Sequence, residues 1–415
     1  MNEKSVKYLG WTQVVIAALA MVATFPGRTH GLGLITESLL KDLSLERTEF
    51  AQLNAIATLV GALFCLPIGG WLDRFGVRIV LPIVLGLLGI CVCLMSGVQT
   101  ATPLLVLVLL TRGLGQSALS VVSISMIGKW FDKLLGIATG IYSVLMGIFF
   151  ATAFSVVGAQ IRGDGWRSAW WNVGAALLVF AIVSPLITRR GAISAADSDL
   201  LTSTAAAKND VNLTLRQALE TPAFWIFGGA TSLFGLVASG MSLFNESILI
   251  ERGFSTEIYH QTLTISFLIG TVANLAGGAL AQFCSMQRLL TVALLIYALG
   301  LLAMTQIATL LQLQGTVVLL AVSGGLITVI FFAIWRRAFG KTHLGQIQGA
   351  GQMMTVLASA GGPTVFAECH AAFGSYAPAL YGLAGTVVLF SFAAWFVTLP
   401  TEQAVEPSLE SVLST

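Results

Sequence analysis

Three basic side chains lie within long apolar stretches of the sequence, where ionisable groups are rare: Arg28, His30 and Arg112. An ionisable side chain is costly inside a membrane-spanning helix, so each is a candidate for function. A guanidinium offers a planar fork of donors that fits a carboxylate, and it keeps its proton near neutral pH. Arg28 and Arg112 are therefore predicted to bind an anionic solute. The alternatives are a structural tie from Arg112 to a neighbouring backbone, and a place for Arg28 in an outer vestibule.

Uncharged polar residues form two stripes at helical spacing, one of which begins at Arg112. Gln116 follows Arg112 by one turn, and Ser120 and Ser123 extend the stripe, which should face water or protein and not lipid. A second stripe in a later apolar run comprises Gln348, Gln352, Thr355 and Ser359. It is interpreted as a hydrogen-bonding wall, with helix–helix contact as the alternative. The wall of the predicted binding site comprises Gln116, Tyr142, Asn274, Gln352 and Thr355.

Proton coupling requires groups that titrate and can be gated with the solute. His30 titrates near neutral pH, and Glu37 lies seven residues later on the same helical face. The alternative for His30 is a neutral side chain that hydrogen-bonds between helices. Three further candidates have suitable chemistry and depth: Glu246, Glu368 and His370. On a regular helix His30 points away from Arg28, but Pro26 and the neighbouring glycines weaken the helix there.

The composition excludes several classes of protein. Of 415 residues, 56% are hydrophobic and 10% are charged, and the mean hydropathy is +0.88. Soluble domains are about 25% charged, so an ordinary soluble enzyme is excluded. A net charge of +2 without a basic run excludes a nucleic-acid binder. The five cysteines lie in apolar stretches without disulfide or metal-ligand spacing, and no cofactor is expected.

Twelve apolar runs of about 17 to 25 residues are long enough to cross a hydrocarbon core. They begin near Trp11, Phe50, Arg78, Thr102, Lys133, Arg167, Pro222, Tyr259, Arg288, Leu311, Leu344 and Tyr376. The runs lack the two-residue alternation of barrel strands, so all are predicted to be helices. The first run continues well beyond the roughly 7 to 15 apolar residues of a signal peptide, which argues against that alternative.

Charge and composition divide the chain into domains. Lys and Arg are concentrated in the connecting segments on the side of the N terminus, which predicts that both termini are cytoplasmic. The polar stretch 189–221 separates the runs six and six and is interpreted as a cytoplasmic linker with a short helix near its end. The predicted domains are a bundle of residues 1–188, this linker, a bundle of residues 222–399 and a cytoplasmic tail of residues 400–415.

An internal repeat relates the two halves at one offset. Gly69 and Gly278, near the ends of runs two and eight, are 209 positions apart. The same offset relates Gly136 and Gly345, at the starts of runs five and eleven. Two matches at one offset indicate a duplicated six-helix unit. Duplicated halves around a midplane site are typical of transporters.

The connection from Gly69 to Arg78 has the residues of a tight charged turn. Glycines let helix ends approach closely, and Asp73 can accept hydrogen bonds from a neighbouring helix end. Arginines hold such a turn at an anionic membrane face. The predicted conformational gating loop comprises Gly69, Asp73, Arg74, Gly76 and Arg78, with an ordinary cytoplasmic turn as the alternative.

This loop and its weaker copy after run eight resemble the loop signature of the major facilitator superfamily, and residues 112–115 resemble that superfamily's second motif. The resemblance covers the whole chain. It implies an all-α integral membrane protein with twelve helices in two pseudo-symmetric six-helix bundles. Residues 129–140, 215–225 and 374–376 resemble the monocarboxylate-transporter-like and oxalate/formate-antiporter-like branch. That branch has a substrate-linked lysine near the position of Arg28, which implies an anion contact without a titratable proton.

The second half departs from this branch, because residues 261–283 carry no charge where the branch has charged groups. This departure argues against a dicarboxylate and against the proton-coupling route that is standard in the branch. The sequence predicts a carrier and not an enzyme, moving a small organic anion, most simply a monocarboxylate, by alternating access, with protons as a candidate coupling ion. The alternative is a larger amphipathic or neutral solute. The expected partners are the solute and the lipid bilayer of the cell membrane, without nucleic acid, and the expected state is a monomer.

Overall fold

A computed structural model describes residues 3–131, 134–188 and 212–403. Within those ranges every regular element is helical, as predicted. The helices are α1 (Glu3–Val22), α2 (Thr29–Leu43), α3 (Arg47–Ala62), α4 (Cys65–Phe75), α5 (Val77–Ser96), α6 (Ala101–Thr111), α7 (Ser120–Trp130), α8 (Leu135–Ile187), α9 (Leu215–Leu219), α10 (Pro222–Glu251), α11 (Thr256–Phe283), α12 (Met286–Met304), α13 (Leu310–Phe339), α14 (Leu344–Phe373), α15 (Ala377–Phe396) and α16 (Pro400–Gln403). A 3₁₀ turn at Phe25–Gly27 and a π-helix at Arg112–Leu119 complete them.

Ten helical segments of the described chain are long and apolar enough to cross a membrane. They are Gly10–Leu43, Gln52–Phe75, Val77–Ser96, Ala101–Trp130, Leu135–Ile187, Pro222–Glu251, Glu257–Phe283, Met286–Met304, Leu310–Phe339 and Ala377–Phe396. Continuous helices satisfy their own backbone groups, which lipid cannot do. Ten segments account for eleven of the twelve predicted runs, because one segment contains two of them.

That long segment is α8, which contains the fifth and sixth predicted runs. Its regular geometry breaks at Gly165, where φ is 81° and ψ is 162°. Glycine adopts such a φ without the steric cost that a side chain would bring. The eleventh run forms α14, which has 30 residues but is more polar because it carries Gln348 and Gln352. All twelve predicted runs therefore lie in helices.

Most of the predicted linker, residues 189–211, and the predicted tail from residue 404 lie outside the described residues. The described end of the linker forms α9, the short helix that its sequence predicts. Thr214 and Gln217 form a reciprocal capping box at its start. The N–H of Gln217 donates to Thr214 Oγ1, and the N–H of Thr214 donates to Gln217 Oε1. These bonds satisfy donors that a helix start leaves unpaired.

The chain divides into two compact units. The first comprises the described residues within Met1–Phe131, Leu145–Lys208 and Lys341–Met353. The second comprises those within Asp132–Val144, Asn209–Gly340 and Met354–Thr415. The start of α8 thus belongs to the second unit and the start of α14 to the first. The predicted bundle boundaries at residues 188 and 222 stay a prediction.

In the first unit, the π-helix is enclosed by other elements. The helix α3 packs against α6 and the π-helix, and α1 packs against α7. Ser123 Oγ donates to the Ala17 carbonyl at 2.6 Å, which joins α7 to α1. The 3₁₀ turn lies so close to the end of α6 that a Cβ at Gly27 would overlap the Thr111 carbonyl oxygen. Glycine at this position therefore allows the broken first span to reach the π-helix.

In the second unit, α13 packs against α11 and α12, and α12 also packs against α15. Thr291 of α12 and Ser391 of α15 exchange hydrogen bonds, each hydroxyl donating to the other carbonyl at 3.4 and 3.1 Å. Phe224, Trp335 and Phe339 form a buried aromatic cluster, with ring centroids of Phe224 and Trp335 5.4 Å apart. This apolar core fixes the helices around it.

The glycines of the internal repeat form a close approach between helices in each unit. In the first unit, a Cβ at Gly69 would overlap the carbonyl oxygen of Gly345. In the second unit, a Cβ at Gly136 would overlap the carbonyl oxygen of Gly278. The two pairs are related by the 209-residue offset. The repeat in the sequence therefore corresponds to the same packing arrangement in each unit.

Candidate functional site

Arg28 is positioned by a break in the first span. The 3₁₀ turn Phe25–Gly27 ends α1 at the predicted weak point, and Arg28 follows with an extended backbone, φ −95° and ψ 153°. Regular helix resumes at Thr29. Because Arg28 precedes this helix, the regular-helix expectation that Arg28 and His30 face opposite ways does not apply. Irregular backbone at membrane depth occurs where it is buried in protein or lines a cavity.

The half-buried side chain of Arg28 joins the first span to α7 and α8. Its Nε donates to Thr24 Oγ1 at 2.7 Å, and its Nη2 donates to Ser120 Oγ at 3.1 Å and contacts Met21 Sδ at 3.0 Å. The guanidinium carbon lies 5.6 Å from the centroid of the Phe150 ring. Arg28 is therefore held in place by neighbours while part of its surface stays accessible.

Arg112, the first residue of the π-helix, is 1% exposed. Its Nε and Nη2 donate to Asn54 Oδ1 at 3.1 and 2.6 Å. Its Nη1 donates to Gln116 Oε1 at 2.8 Å, and to the Gly27 carbonyl and Thr29 Oγ1 at 3.1 Å each. The bond to the Gly27 carbonyl is the kind of backbone tie that the structural alternative predicts. All these acceptors are neutral, so they satisfy the donors without cancelling the charge.

The two arginines are held along one side of the fourth span. Gln116 accepts from Arg112, and Ser120, four residues later, accepts from Arg28. Residues four apart lie on neighbouring turns of a helix. Two positive groups along one helical face, in surroundings of low dielectric, create a positive potential that favours an anion. π-Helical segments such as this one are frequent at functional sites.

The other predicted wall residues are divided between the two units. Gln352 belongs to the first unit and is 8% exposed. Tyr142 is fully buried in the second unit, where its ring packs edge-on against Phe332 at 5.1 Å. Asn274 and Thr355 are half-buried in the second unit, and Asn274 Oδ1 has no hydrogen-bond partner among the described residues. Of the predicted binding residues, the structure thus brings together Arg28, Arg112 and Gln116.

The candidate proton groups belong to different parts of the chain. His30 and Glu37 are both exposed on α2 in the first unit. Glu246 is half-buried on α10, and Glu368 is exposed on α14, both in the second unit. The exposed His370 packs against Tyr376, with ring centroids 4.5 Å apart. Their coupling roles stay predictions. Within the described part of the chain, no group of His, Cys, Asp and Glu has the arrangement of a metal site.

The predicted gating loop contacts the start of α14 within the first unit. Asp73 accepts hydrogen bonds from the N–H groups of Gly345 and Gln346, both at 2.9 Å, as expected for a carboxylate at a helix start. Its Oδ1 also lies 2.8 Å from Lys129 Nζ. At the other end of the loop, Gly76 has a φ of 76°, which favours glycine. The gating role itself stays a prediction.

The two arginines of the loop have different neighbours. Arg74 is exposed, and its guanidinium lies 5.3 Å from the Phe75 ring centroid. Arg78 is also exposed, and its Nε donates to the Pro185 carbonyl at 3.1 Å. Neither makes an ion pair among those found in the described chain. Their side chains are thus placed to meet solvent or lipid.

Three contributors to these arrangements are not singled out as such by the sequence: Asn54, Thr29 and Lys129. Asn54 carries a detectable signal, since it is a polar residue within the second apolar run, like Gln116 in the fourth. The pairing of Lys129 with Asp73 joins residues 56 positions apart, and no local pattern marks it. Such partners become visible only in the folded structure, where distant segments pack together.

Similar sequences and structures among known proteins agree with the helical membrane fold. A sequence model of the Major Facilitator Superfamily matches residues 16–259, more than half of the chain. Over 178 residues the chain is 25% identical to a probable L-galactonate transporter of Escherichia coli (strain K12). That match spans 43% of this chain and 39% of the relative's length.

Two solved structures have a similar fold. The human organic anion transporter MFSD10 (TETRAN) has a TM-score of 0.67 and 17% identity, covering 95% of this chain and 100% of that chain. FucP, a transporter of the same superfamily in the outward conformation, has a TM-score of 0.66 and 14% identity, covering 94% of this chain and 97% of that chain. These likenesses support the fold. The family match over more than half of the chain, with the helical spans, shows that the chain belongs to the Major Facilitator Superfamily and is a multi-pass membrane transporter, not an enzyme.

Proposed function

We propose that this transporter carries a small organic anion, a monocarboxylate, by alternating access, and that Arg28 and Arg112 bind it. One observation carries the proposal: Arg112 is 1% exposed and its acceptors are all neutral. A buried charge without a counter-charge is unfavourable. An anionic solute next to Arg112 and Arg28 would supply the missing negative charge.

The two arginines have different parts in this proposal. Arg112 bonds to groups on four elements, which are α3, the 3₁₀ turn, α2 and the π-helix, so it contributes a fixed positive charge and holds the site together. Arg28 is half-buried and donates from Nε and Nη2 to side chains of the first and fourth spans. Its accessible surface makes it the direct contact for a carboxylate, which arginine recognises through paired donors.

The proposal also assigns the wall of the site, the gate, the coupling groups and the membrane. The proposed hydrogen-bonding wall of the site comprises Gln116, Tyr142, Asn274, Gln352 and Thr355. The loop around Asp73 is proposed as the gate. Proton symport is proposed through His30 and Glu37, seven residues apart on α2. The remaining coupling candidates are Glu246, Glu368 and His370. We place the protein in the cell membrane as a monomer with both termini cytoplasmic, following the distribution of Lys and Arg.

Two of the three similar proteins have names that agree with the charge of the proposed solute. One is a probable L-galactonate transporter and one is an organic anion transporter. A second candidate function is transport of a larger amphipathic or neutral solute. It is favoured by α11, which after Glu257 carries no charged residue. The two candidates differ in their dependence on Arg28.

The test is uptake of labelled short-chain monocarboxylates into proteoliposomes, with and without an inward proton gradient. Arg28→Gln is expected to raise the half-saturation concentration by about ten- to a hundredfold, since the loss of a hydrogen bond to a charged group lowers affinity by about that factor. Arg162→Gln, which changes an exposed arginine of the same unit, is the matched control. Monocarboxylate uptake that is unchanged in Arg28→Gln would contradict the anion contact of Arg28. Absence of uptake of every monocarboxylate in the wild type would favour the neutral or amphipathic solute.

A further inference from the structure

Four aromatic rings of the first unit form a connected row beside Arg28. Phe150, which lies under the guanidinium, has its ring centroid 6.4 Å from that of Phe154, one turn later on α8. Phe154 meets Phe25 of the 3₁₀ turn edge-on at 5.1 Å, and Phe25 lies 6.3 Å from Trp170. Phe25 and Trp170 are buried, whereas Phe150 and Phe154 are half-buried. The accessible rings of this aromatic row therefore include Phe150, the ring that contacts Arg28.

The side-chain oxygens around the arginines already accept hydrogen bonds from them. Thr24 Oγ1 accepts from Arg28 and donates to the Met21 carbonyl at 2.5 Å. Ser120 Oγ accepts from Arg28. The side-chain oxygens of Asn54, Gln116 and Thr29 accept from Arg112. A solute hydroxyl that donated to one of these oxygens would compete with an arginine donor already bonded to it.

The hydroxyls of α8 near the aromatic row are engaged as well. Thr152 Oγ1 donates to the Ile148 carbonyl at 2.9 Å, and Ser155 Oγ donates to the Ala151 carbonyl at 3.0 Å. Such bonds to the preceding turn satisfy a hydroxyl within its own helix. The α8 side chain found next to Arg28 is thus the Phe150 ring, and Phe154 extends this apolar surface by one turn.

From this juxtaposition we infer that the anion bound at Arg28 has an apolar body, best an aromatic ring, that packs against Phe150 and Phe154. The inference rests on the proposed function and names its solute class: aryl and arylalkyl monocarboxylates, in preference to polyhydroxylated acids. The carboxylate pairs with the Arg28 guanidinium while the ring lies offset or edge-on against Phe150. Phe150 is then a specificity-determining residue.

The preference has a measurable size. An aromatic pair contributes about two- to tenfold in affinity beyond the area that it buries. A polyhydroxylated acid lacks this contact and must also give up bonds to water that the apolar row cannot replace. Benzoate and 3-phenylpropionate are therefore expected to bind about tenfold or more tightly than galactonate.

The experiment compares these probes on the purified full-length protein in detergent. Dissociation constants for benzoate, 3-phenylpropionate, acetate and galactonate are measured by calorimetric titration, and uptake competition in proteoliposomes gives a second readout. The variants are Phe150→Leu and Phe154→Leu. Phe149→Leu is the matched control, because Phe149 is half-buried on the same helix and makes no ring contact within the described chain. Thermal unfolding of every variant establishes that it is folded.

The expected result is selective. Phe150→Leu should weaken benzoate binding by about fivefold and leave acetate within about twofold of wild type, since acetate has no ring to lose. Phe154→Leu provides the same test should Phe150→Leu fail to fold. Equal weakening of acetate and benzoate would overturn the inference, and so would galactonate binding more tightly than benzoate. Binding of galactonate that depends on Arg28, without binding of benzoate, overturns this inference alone. Absence of binding by all four carboxylates overturns the proposed function with it.

Discussion

Asn54 Oδ1 accepts two hydrogen bonds from one guanidinium, from Nε and Nη2 of Arg112, at 3.1 and 2.6 Å. An aspartate at this position could hold Arg112 in the same orientation, because the two side chains have nearly the same shape. The asparagine keeps the geometry of an ion pair and leaves out its negative charge. The positive charge of Arg112 therefore stays available to a solute, which is the basis of the proposed anion site.

Asn54→Asp is expected to separate the structural role of Arg112 from its role in binding. The added carboxylate would pair with the buried guanidinium, so the protein should stay folded while anion affinity falls by about tenfold or more. Asn54→Ala leaves buried donors unsatisfied and should lower the free energy of unfolding by about 1–3 kcal/mol. Thermal unfolding and monocarboxylate titration measure both effects. An Asn54→Asp variant that binds the anion as tightly as wild type would contradict the proposed site.

The helices and the break in the first span could be predicted because each depends on local sequence. Apolar run length predicts the spans, and Pro26 with Gly27 predicts the interruption between α1 and α2. The glycine repeat could be predicted because close helix packing tolerates only the smallest side chains. These features need no knowledge of which helices are neighbours.

The site could be predicted only in part, for a different physical reason. Arg28 and Arg112 stand out because charge is costly in an apolar run. Their partners do not stand out: Asn54 and Arg112 are 58 positions apart, and Phe150 meets Arg28 across a still longer separation. The π-helix at Arg112–Leu119 also lacks a compositional signal. These features follow from packing between helices, which one sequence does not encode in a local pattern.

The glycine pair Gly69 and Gly345 provides a prediction with a neighbouring control. Gly69→Ala should lower the free energy of unfolding by about 1–3 kcal/mol, because its Cβ would overlap the Gly345 carbonyl oxygen. Gly136→Ala should do the same against Gly278 in the second unit. Gly70→Ala should be tolerated, since its Cβ would meet only the flexible side chain of Gln346. Equal stability of Gly69→Ala and Gly70→Ala, in thermal unfolding, would contradict the close packing.

Proton coupling through α2 provides a prediction that distinguishes driving force from solute binding. Glu37→Gln is expected to remove the stimulation of uptake by an inward proton gradient, because glutamine cannot carry a proton. Exchange of labelled for unlabelled solute at equal pH should continue, since it requires no net proton movement. Asp164→Asn, at an exposed position of α8, is the control. Gradient-stimulated uptake that persists in Glu37→Gln and His30→Gln would exclude α2 as the proton route.

Asp73 provides the prediction for the gating loop. Its side chain is 8% exposed and accepts hydrogen bonds from three donors, which are Lys129 Nζ and the N–H groups of Gly345 and Gln346. The carboxylate thus combines an ion pair with a favourable position at the start of α14, where backbone N–H groups lack helical partners. A neutral amide keeps one acceptor oxygen and loses the charge.

Asp73→Asn should therefore weaken these contacts and alter turnover more than binding. We expect the transport rate to change by about tenfold or more while the equilibrium affinity for the anion stays within about twofold, because hydrogen bonds to a charged group are worth about 1.5–3 kcal/mol. Lys129→Met should reproduce part of the effect through loss of the ion pair. Arg74→Gln, a neighbouring exposed position, should have little effect on the rate, since Arg74 contacts only the Phe75 ring among the contacts found. Equal rates in wild type and Asp73→Asn would show that the carboxylate stabilises the fold without controlling the transport cycle.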